Sequence, residues 1–157
     1  MTDTRHEDLL RLIGEHVDFI DAENAYCYEI GDGTINYLYR VEDVQGNSVI
    51  VKHADKASKR NTDFLLSTSR LDIEFQQLNT LGEILPSFVP KIYHFDRENH
   101  YFIMEDLKDY EILRVALNDS KKFAHFAAQI TRYLFSTLFT STDLVAPSIQ
   151  KKMAHHS

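Results

Sequence analysis

One cysteine, Cys27, stands among 157 residues. That scarcity excludes an internal disulfide framework and any multi-cysteine metal cluster. Tryptophan is absent, and there are only five glycines and three prolines, so the composition is not that of a low-complexity or disordered chain. Basic residues are outnumbered: 17 Lys and Arg against 24 Asp and Glu leave a formal net charge of −7. Bulk nucleic-acid binding needs a basic footprint, so no nucleic-acid partner is expected. No apolar run reaches the roughly 18 residues of a membrane-spanning helix, and the opening MTDTRHEDLL is polar and acidic, unlike a signal peptide. No membrane partner is expected, and the cytoplasm is the expected location.

What remains is an ordinary globular composition, 43% apolar and 26% charged. A chain of this length buries some two-thirds of its unfolded surface, enough for a real core. Hydrophobic periodicity predicts a helix over 4–19, with Leu9, Leu10, Leu12, Ile13 and Val17 at helical spacing. Three strands follow, at 26–30, 35–41 and 48–53, joined by the turns Gly31-Asp32-Gly33-Thr34 and Gln45-Gly46-Asn47. A polar stretch over 54–69 carries Lys56, Lys59 and Arg60, read as a solvated loop. A helix over 68–81 ends near Gly82, with Leu71, Phe75, Leu78 and Leu81 as its buried stripe. Strands at 91–95 and 101–104, joined by Asp96-Arg97-Glu98-Asn99, precede a short helical piece over 110–117 and a long helix over 120–140. The expected fold is α+β: a five-stranded antiparallel sheet with one helix crossing between the third and fourth strands.

Several residues can carry chemistry. Gly31 and Gly33 form a glycine turn between two strands, able to approach an anion closely; the same turn also suits a plain hairpin. Lys52 is a single ammonium among apolar neighbours at the end of the third strand, suited either to phosphate or to guarding a sheet edge. Glu74, on the next helix, can orient that lysine or merely face water. The strand 101–104 opens into Glu105-Asp106-Leu107, where backbone groups leaving a sheet can read the edge of an adenine. Cys27 reads as a small core residue, and His155 with His156 as a chain terminus. Glycine turn, strand lysine, helix glutamate and acidic hinge stand in the order of a kinase amino-terminal lobe.

The resemblance is more specific than that order. Glu29 to Asn36 (EIGDGTIN) is similar to the glycine-rich loop of the methylthioribose kinases, close to E-V/I-G-D-G-N-L-N. Ser48 to Lys52 (SVIVK) resembles the family's lysine strand. Val89 to Asp96 (VPKIYHFD), Ile103 to Leu107 (IMEDL), Ile112 to Leu117 (ILRVAL), Thr137 to Leu144 (TLFTSTDL) and Lys151-Lys152 resemble further family motifs in the same order. The likeness runs from about Tyr28 to Lys152. It departs at Thr34, where the family usually has asparagine, and over His53 to Arg60 (HADKASKR).

The resemblance implies a protein-kinase-like amino-terminal lobe over 1–104, comprising a helix over 1–20 and the sheet with its crossing helix over 26–104. It implies a hinge and the incomplete start of a helical carboxyl-terminal lobe over 105–157. It implies that Gly31, Asp32, Gly33 and Thr34 cover the ATP phosphates, that Lys52 contacts them and that Glu74 pairs with Lys52. Glu105 and Leu107 would bond adenine through their backbones. The implied reaction is transfer of phosphate from ATP, with Mg²⁺, to S-methyl-5-thioribose, giving the 1-phosphate in methionine salvage.

The family's catalytic H-G-D-x-H loop and later D-x-E have no credible counterpart. His6-Glu7-Asp8, His16-Val17-Asp18 and His94-Phe95-Asp96 all precede the hinge, and Asp72-Ile73-Glu74 sits on the helix of the lysine's partner. The expectation is a truncated form, catalytically incomplete alone, whose last long helix leaves Phe123, Phe126, Ile130, Tyr133, Leu134 and Leu138 bare and self-associating. The alternatives are a fragment of an aminoglycoside- or choline-kinase-like phosphotransferase, and a non-catalytic nucleotide-binding or interaction module.

Overall fold

The structure is a computed structural model that describes residues 4–31, 35–55 and 67–139. Its elements fall into two compact units, Met1–Asn79 with Pro90–Leu107, and Thr80–Val89 with Lys108–Ser157.

The first unit contains the sheet. Strands β1 (Ala25–Glu29), β2 (Asn36–Asp43), β3 (Ser48–Ala54), β4 (Ile92–Asp96) and β5 (Tyr101–Glu105) are arranged in the order β1-β2-β3-β5-β4. Every neighbouring pair is antiparallel. Side chains alternate across a strand, so each face collects every second residue. One face presents Tyr39, Val41, Val49, Val51, Tyr101 and Ile103, which cluster with Leu9, Ile13 and Val17. The last three lie on or just after helix α1 (Thr4–His16), whose apolar stripe is thereby buried. The opposite face gathers Ala54 and Phe102 with Leu71 of helix α2 (Ser69–Ile84), and Phe75 stacks on Phe95 with ring centroids 4.0 Å apart. The five-stranded α+β arrangement is the expected one.

Asp43 closes the β2–β3 hairpin. Its Oδ1 accepts the Gln45 and Asn47 N–H groups at 2.9 Å each, and its Oδ2 accepts the Asn47 side-chain amide at 2.9 Å and the Asp21 N–H at 3.2 Å. The Asn47 side chain, with the backbone donors, holds this carboxyl below its ordinary pKa, although burial opposes the shift. Gly46 completes the turn at φ +87°, a conformation that suits residues without a Cβ.

In the second unit, α3 (Leu113–Asn118) and α4 (Phe126–Leu134) are followed by a π-helical turn over Phe135–Phe139. The long helix expected from 120 therefore begins six residues later. Ser120 adopts φ +58°, with its N–H bonded to the Leu117 carbonyl and the Lys121 N–H bonded to the Ala116 carbonyl, each at 3.0 Å. That pair of bonds is a Schellman closure, and it ends α3 where periodicity alone would continue a helix. Helix α2 likewise passes through Gly82 to Ile84, because its last turn still closes from Leu85 N–H to the Leu81 carbonyl at 2.7 Å. Phe88 packs against Tyr133 and lies beneath the Arg132 guanidinium, 5.8 Å from the ring centroid. Phe126, Ile130 and Leu134, spaced one turn apart on α4, are exposed.

Candidate nucleotide site

Lys52 stands in β3 between Leu38 of β2 and Phe102 of β5. Its side chain is 17% exposed, so the ammonium is set on an apolar surface near the end of a rigid strand. The buried stripe of α2 runs through Leu71, Phe75 and Leu78. Glu74 lies one residue before Phe75, on the flank of that stripe, and so reaches over the sheet. Lys52 Nζ donates to Glu74 Oε1 at 2.5 Å, across 22 residues of sequence. Asp72, two residues earlier, turns elsewhere and pairs with Arg97 at 3.4 Å.

Arg70 fastens the start of α2 to the sheet. Its Nε donates to Asn36 Oδ1 at 3.1 Å, and its Nη2 donates to the Asp55 and Ile35 carbonyls at 2.9 and 3.3 Å. Burial lowers its pKa, and the Asp55 charge opposes that shift. These contacts pin both strand ends beside the β1–β2 turn. Gly31 opens that turn at φ +78°, where among the described residues nothing lies within 4 Å of the place a Cβ would take, after an Ile30 N–H bond to the Leu38 carbonyl at 2.8 Å. Asp32, Gly33 and Thr34 lie outside the described residues, as do Lys56, Lys59, Arg60, His155, His156 and the motif residues beyond 139.

At the end of β5, Glu105 donates its N–H to the Lys91 carbonyl at 2.8 Å, and its carboxylate accepts the Lys91 N–H at 3.1 Å. Leu107 is 42% exposed. Between them Asp106 turns inward. Its Oδ1 accepts Arg40 Nη2 at 3.0 Å and its Oδ2 accepts the Ser48 hydroxyl at 2.7 Å. Arg40 Nε also stands 2.6 Å from Oδ2 as an ion pair, without being aimed for a hydrogen bond. The carboxylate raises the Arg40 pKa further, so this guanidinium stays charged.

The sequence pairs Lys52 with Glu74 and places Asp106 in the hinge and Ser48 in the lysine strand, but it shows neither their contact with Arg40 nor the role of Arg70. The only local hint was a charge at 40 on a strand face shared with Leu38. Cys27 is half-buried against the core, and burial pushes its thiol up to about 11. A thiol so placed is neutral and poorly nucleophilic near pH 7. Among the described residues no three His, Cys, Asp or Glu side chains converge as a metal site. Also among them, no helix is long and apolar enough to cross a membrane.

An antiparallel sheet of this order, with a helix crossing between β3 and β4 and followed by helices, is a kinase-like amino-terminal lobe. Comparison with known proteins finds relatives that share one name. The chain is 31% identical over 139 residues to a methylthioribose kinase of Bacillus cereus, covering 88% of this chain and 35% of that protein. It is 30% identical over the same span to methylthioribose kinases of Bacillus thuringiensis (strain Al Hakam) and Bacillus anthracis. No family model matches the chain. The chain is thus related to the methylthioribose kinases and spans about a third of the length of the curated relatives it matches.

Proposed function

We propose that this chain is the ATP-binding part of a small-molecule kinase that phosphorylates S-methyl-5-thioribose to its 1-phosphate, a step of methionine salvage in the cytoplasm. The observation that carries the reading is the Lys52–Glu74 pair. A strand lysine held extended by a helix carboxylate offers its charge to phosphate oxygens in a fixed place. Gly31, Asp32, Gly33 and Thr34 are assigned to cover those phosphates, through backbone N–H groups that a glycine turn can bring close. Adenine is assigned to the backbone after β5. The Glu105 N–H is committed to Lys91, so that residue is left its carbonyl, and Leu107 supplies the second contact. The domain limits proposed are 1–104 for this lobe and 105–157 for the hinge and first helices of the next.

Phosphoryl transfer also needs a positioned base for the sugar hydroxyl and carboxylates for Mg²⁺. We assign those roles to a carboxyl-terminal lobe rather than to residues of this chain, and propose that these 157 residues do not transfer phosphate by themselves. The named relatives favour this sugar kinase over an aminoglycoside- or choline-kinase-like enzyme. Isothermal titration with ATP and ADP, alongside an assay of phosphate transfer to methylthioribose, tests the reading. Nucleotide binding without turnover is expected. Absence of binding overturns the ATP assignment, and turnover by the isolated chain overturns the catalytic one.

One observation favours an added interaction role. The exposed Phe126, Ile130 and Leu134 form a continuous apolar stripe on α4, and such a stripe drives association. A homo-oligomer through α4 is expected by light scattering at high concentration. A monomer at all concentrations removes that role.

A further inference from the structure

Asp106 occupies the middle of the three-residue segment to which the nucleotide reading assigns adenine, and its side chain is 3% exposed. A carboxylate is rarely so buried unless paired and hydrogen-bonded. Here it is held by residues of two different strands, Arg40 of β2 and Ser48 of β3, which lie 66 and 58 residues away in sequence. The side chain is therefore tied down at both oxygens. Asp106 directly follows the last residue of β5, so anchoring its side chain at both oxygens restricts the two peptide planes on either side of its Cα. Those planes carry the Glu105 carbonyl and the Leu107 N–H.

We infer that Arg40, Ser48 and Asp106 form a clamp that sets the orientation of the 105–107 backbone, so that it reads the base of an adenine nucleotide. The inference rests on the ATP assignment above and deepens it. The three are positioning residues: none is assigned to touch the nucleotide. Their loss is expected to weaken base recognition and to spare phosphate recognition, which belongs to Lys52 and the glycine turn. Charge and hydrogen bonding both contribute, because the Arg40–Asp106 contacts are ionic and the Ser48 contact is a hydroxyl donor to a carboxylate.

Two readouts on the full chain test the clamp. The first needs no nucleotide: amide hydrogen exchange followed by NMR in Ser48→Ala and Asp106→Asn. Exchange at Glu105, whose N–H is bonded to the Lys91 carbonyl at 2.8 Å, is expected to accelerate about tenfold or more, while amides of the β2–β3 ladder stay protected. The second is titration with ADP and, separately, with inorganic tripolyphosphate. Ser48→Ala and Asp106→Asn are expected to raise the ADP Kd about tenfold and to change the tripolyphosphate Kd less than about twofold, the scale of one lost base contact. Ser48→Thr, which keeps the hydroxyl on a β-branched side chain suited to a strand, is expected to restore both.

Unchanged exchange at Glu105 in both variants overturns the clamp, whatever nucleotide does. Equal loss of ADP and tripolyphosphate binding, with a general loss of protection, also overturns it and leaves only a folding role. Accelerated local exchange with unaltered ADP affinity overturns the assignment to base reading. If the unmodified chain binds no ADP but local exchange still responds, the ATP reading fails and the clamp stands as a device ordering this segment. Ser48→Ala keeps the test open if Asp106→Asn does not fold, since it leaves the Arg40–Asp106 pair in place.

Discussion

Lys52 of β3 and Glu74 of α2 meet at 2.5 Å, with the lysine side chain 17% and the glutamate side chain 37% exposed. The glutamate end is open to water, which screens the pair, so it contributes little to stability, about 0–1 kcal/mol. Its value lies in where it holds the ammonium. Lys52→Ala is therefore expected to leave the melting temperature of the free chain nearly unchanged and to weaken ATP binding about tenfold or more, the scale of one charge-assisted contact. Glu74→Gln is expected to act in the same direction and less strongly. Calorimetric titration with parallel melting curves checks both; a large loss of stability in Lys52→Ala would show that the pair serves the fold instead.

Leu71 connects packing to that geometry. It is buried at the start of α2 against Phe102 and Ala54, and it holds the helix turn that presents Glu74. Leu71→Ala is expected to cost about 2–5 kcal/mol through lost burial and a residual cavity. Chemical denaturation measures that cost. Nucleotide affinity, measured where the variant remains folded, should fall as well, because Glu74 loses its backing.

Asp43 makes the chain acid-sensitive. Its folded pKa is lowered by Asn47 and by the backbone donors of the turn, so the unfolded chain binds the proton more readily. The stabilisation is complete above the unfolded value, near pH 4, and is lost as pH falls through the lower folded value. Asp43→Asn should remove this acid-dependent arm and lower the melting temperature at neutral pH. Melting curves between pH 2 and 7 test it; parallel profiles for the variant and the unmodified chain would refute the assignment.

His94 should act at milder pH. Its ring stacks on His16 at a centroid distance of 3.6 Å, and burial first, then the His16 charge, lowers its pKa against the pull of Asp96. The neutral form is therefore favoured in the folded state. Stability is complete above the unfolded value, near pH 6.5, and declines as pH falls from there through the folded value. Tyr101, whose ring centroid lies 5.9 Å from that of His94, has its own pKa raised by burial and Asp96, so it remains neutral in this range. His94→Gln should flatten the stability profile between pH 5 and 7, as read from urea midpoints at each pH.

The strands and α1 were legible because their signals are local. Tyr39 and Val41 alternate with the less buried Leu38 and Arg40 at the period of a strand, Val49-Ile50-Val51 is a short apolar run buried on both faces, and Leu9, Ile13 and Val17 recur at the period of a helix. The Lys52–Glu74 pair was legible through family resemblance and the order of elements, since neither residue alone distinguishes a site from a surface charge. The start of α4 was not, because Ser120 carries no glycine-like mark for the left-handed conformation that ends α3.

The amino-acid sequence by itself determined the alternation that gives the sheet two faces, the apolar stripes that cover them, and the kinship with methylthioribose kinases. Only the tertiary structure decided where the unpatterned charges go. Arg40, Ser48 and Asp106 are brought together by antiparallel register across β2, β3 and β5, and Arg70 finds Asn36 and Asp55 by the way α2 lies on the sheet. Periodicity describes neighbours within one element. A contact between residues 58 or 66 apart exists only once the chain has folded back on itself and water has been excluded from the carboxylate it encloses.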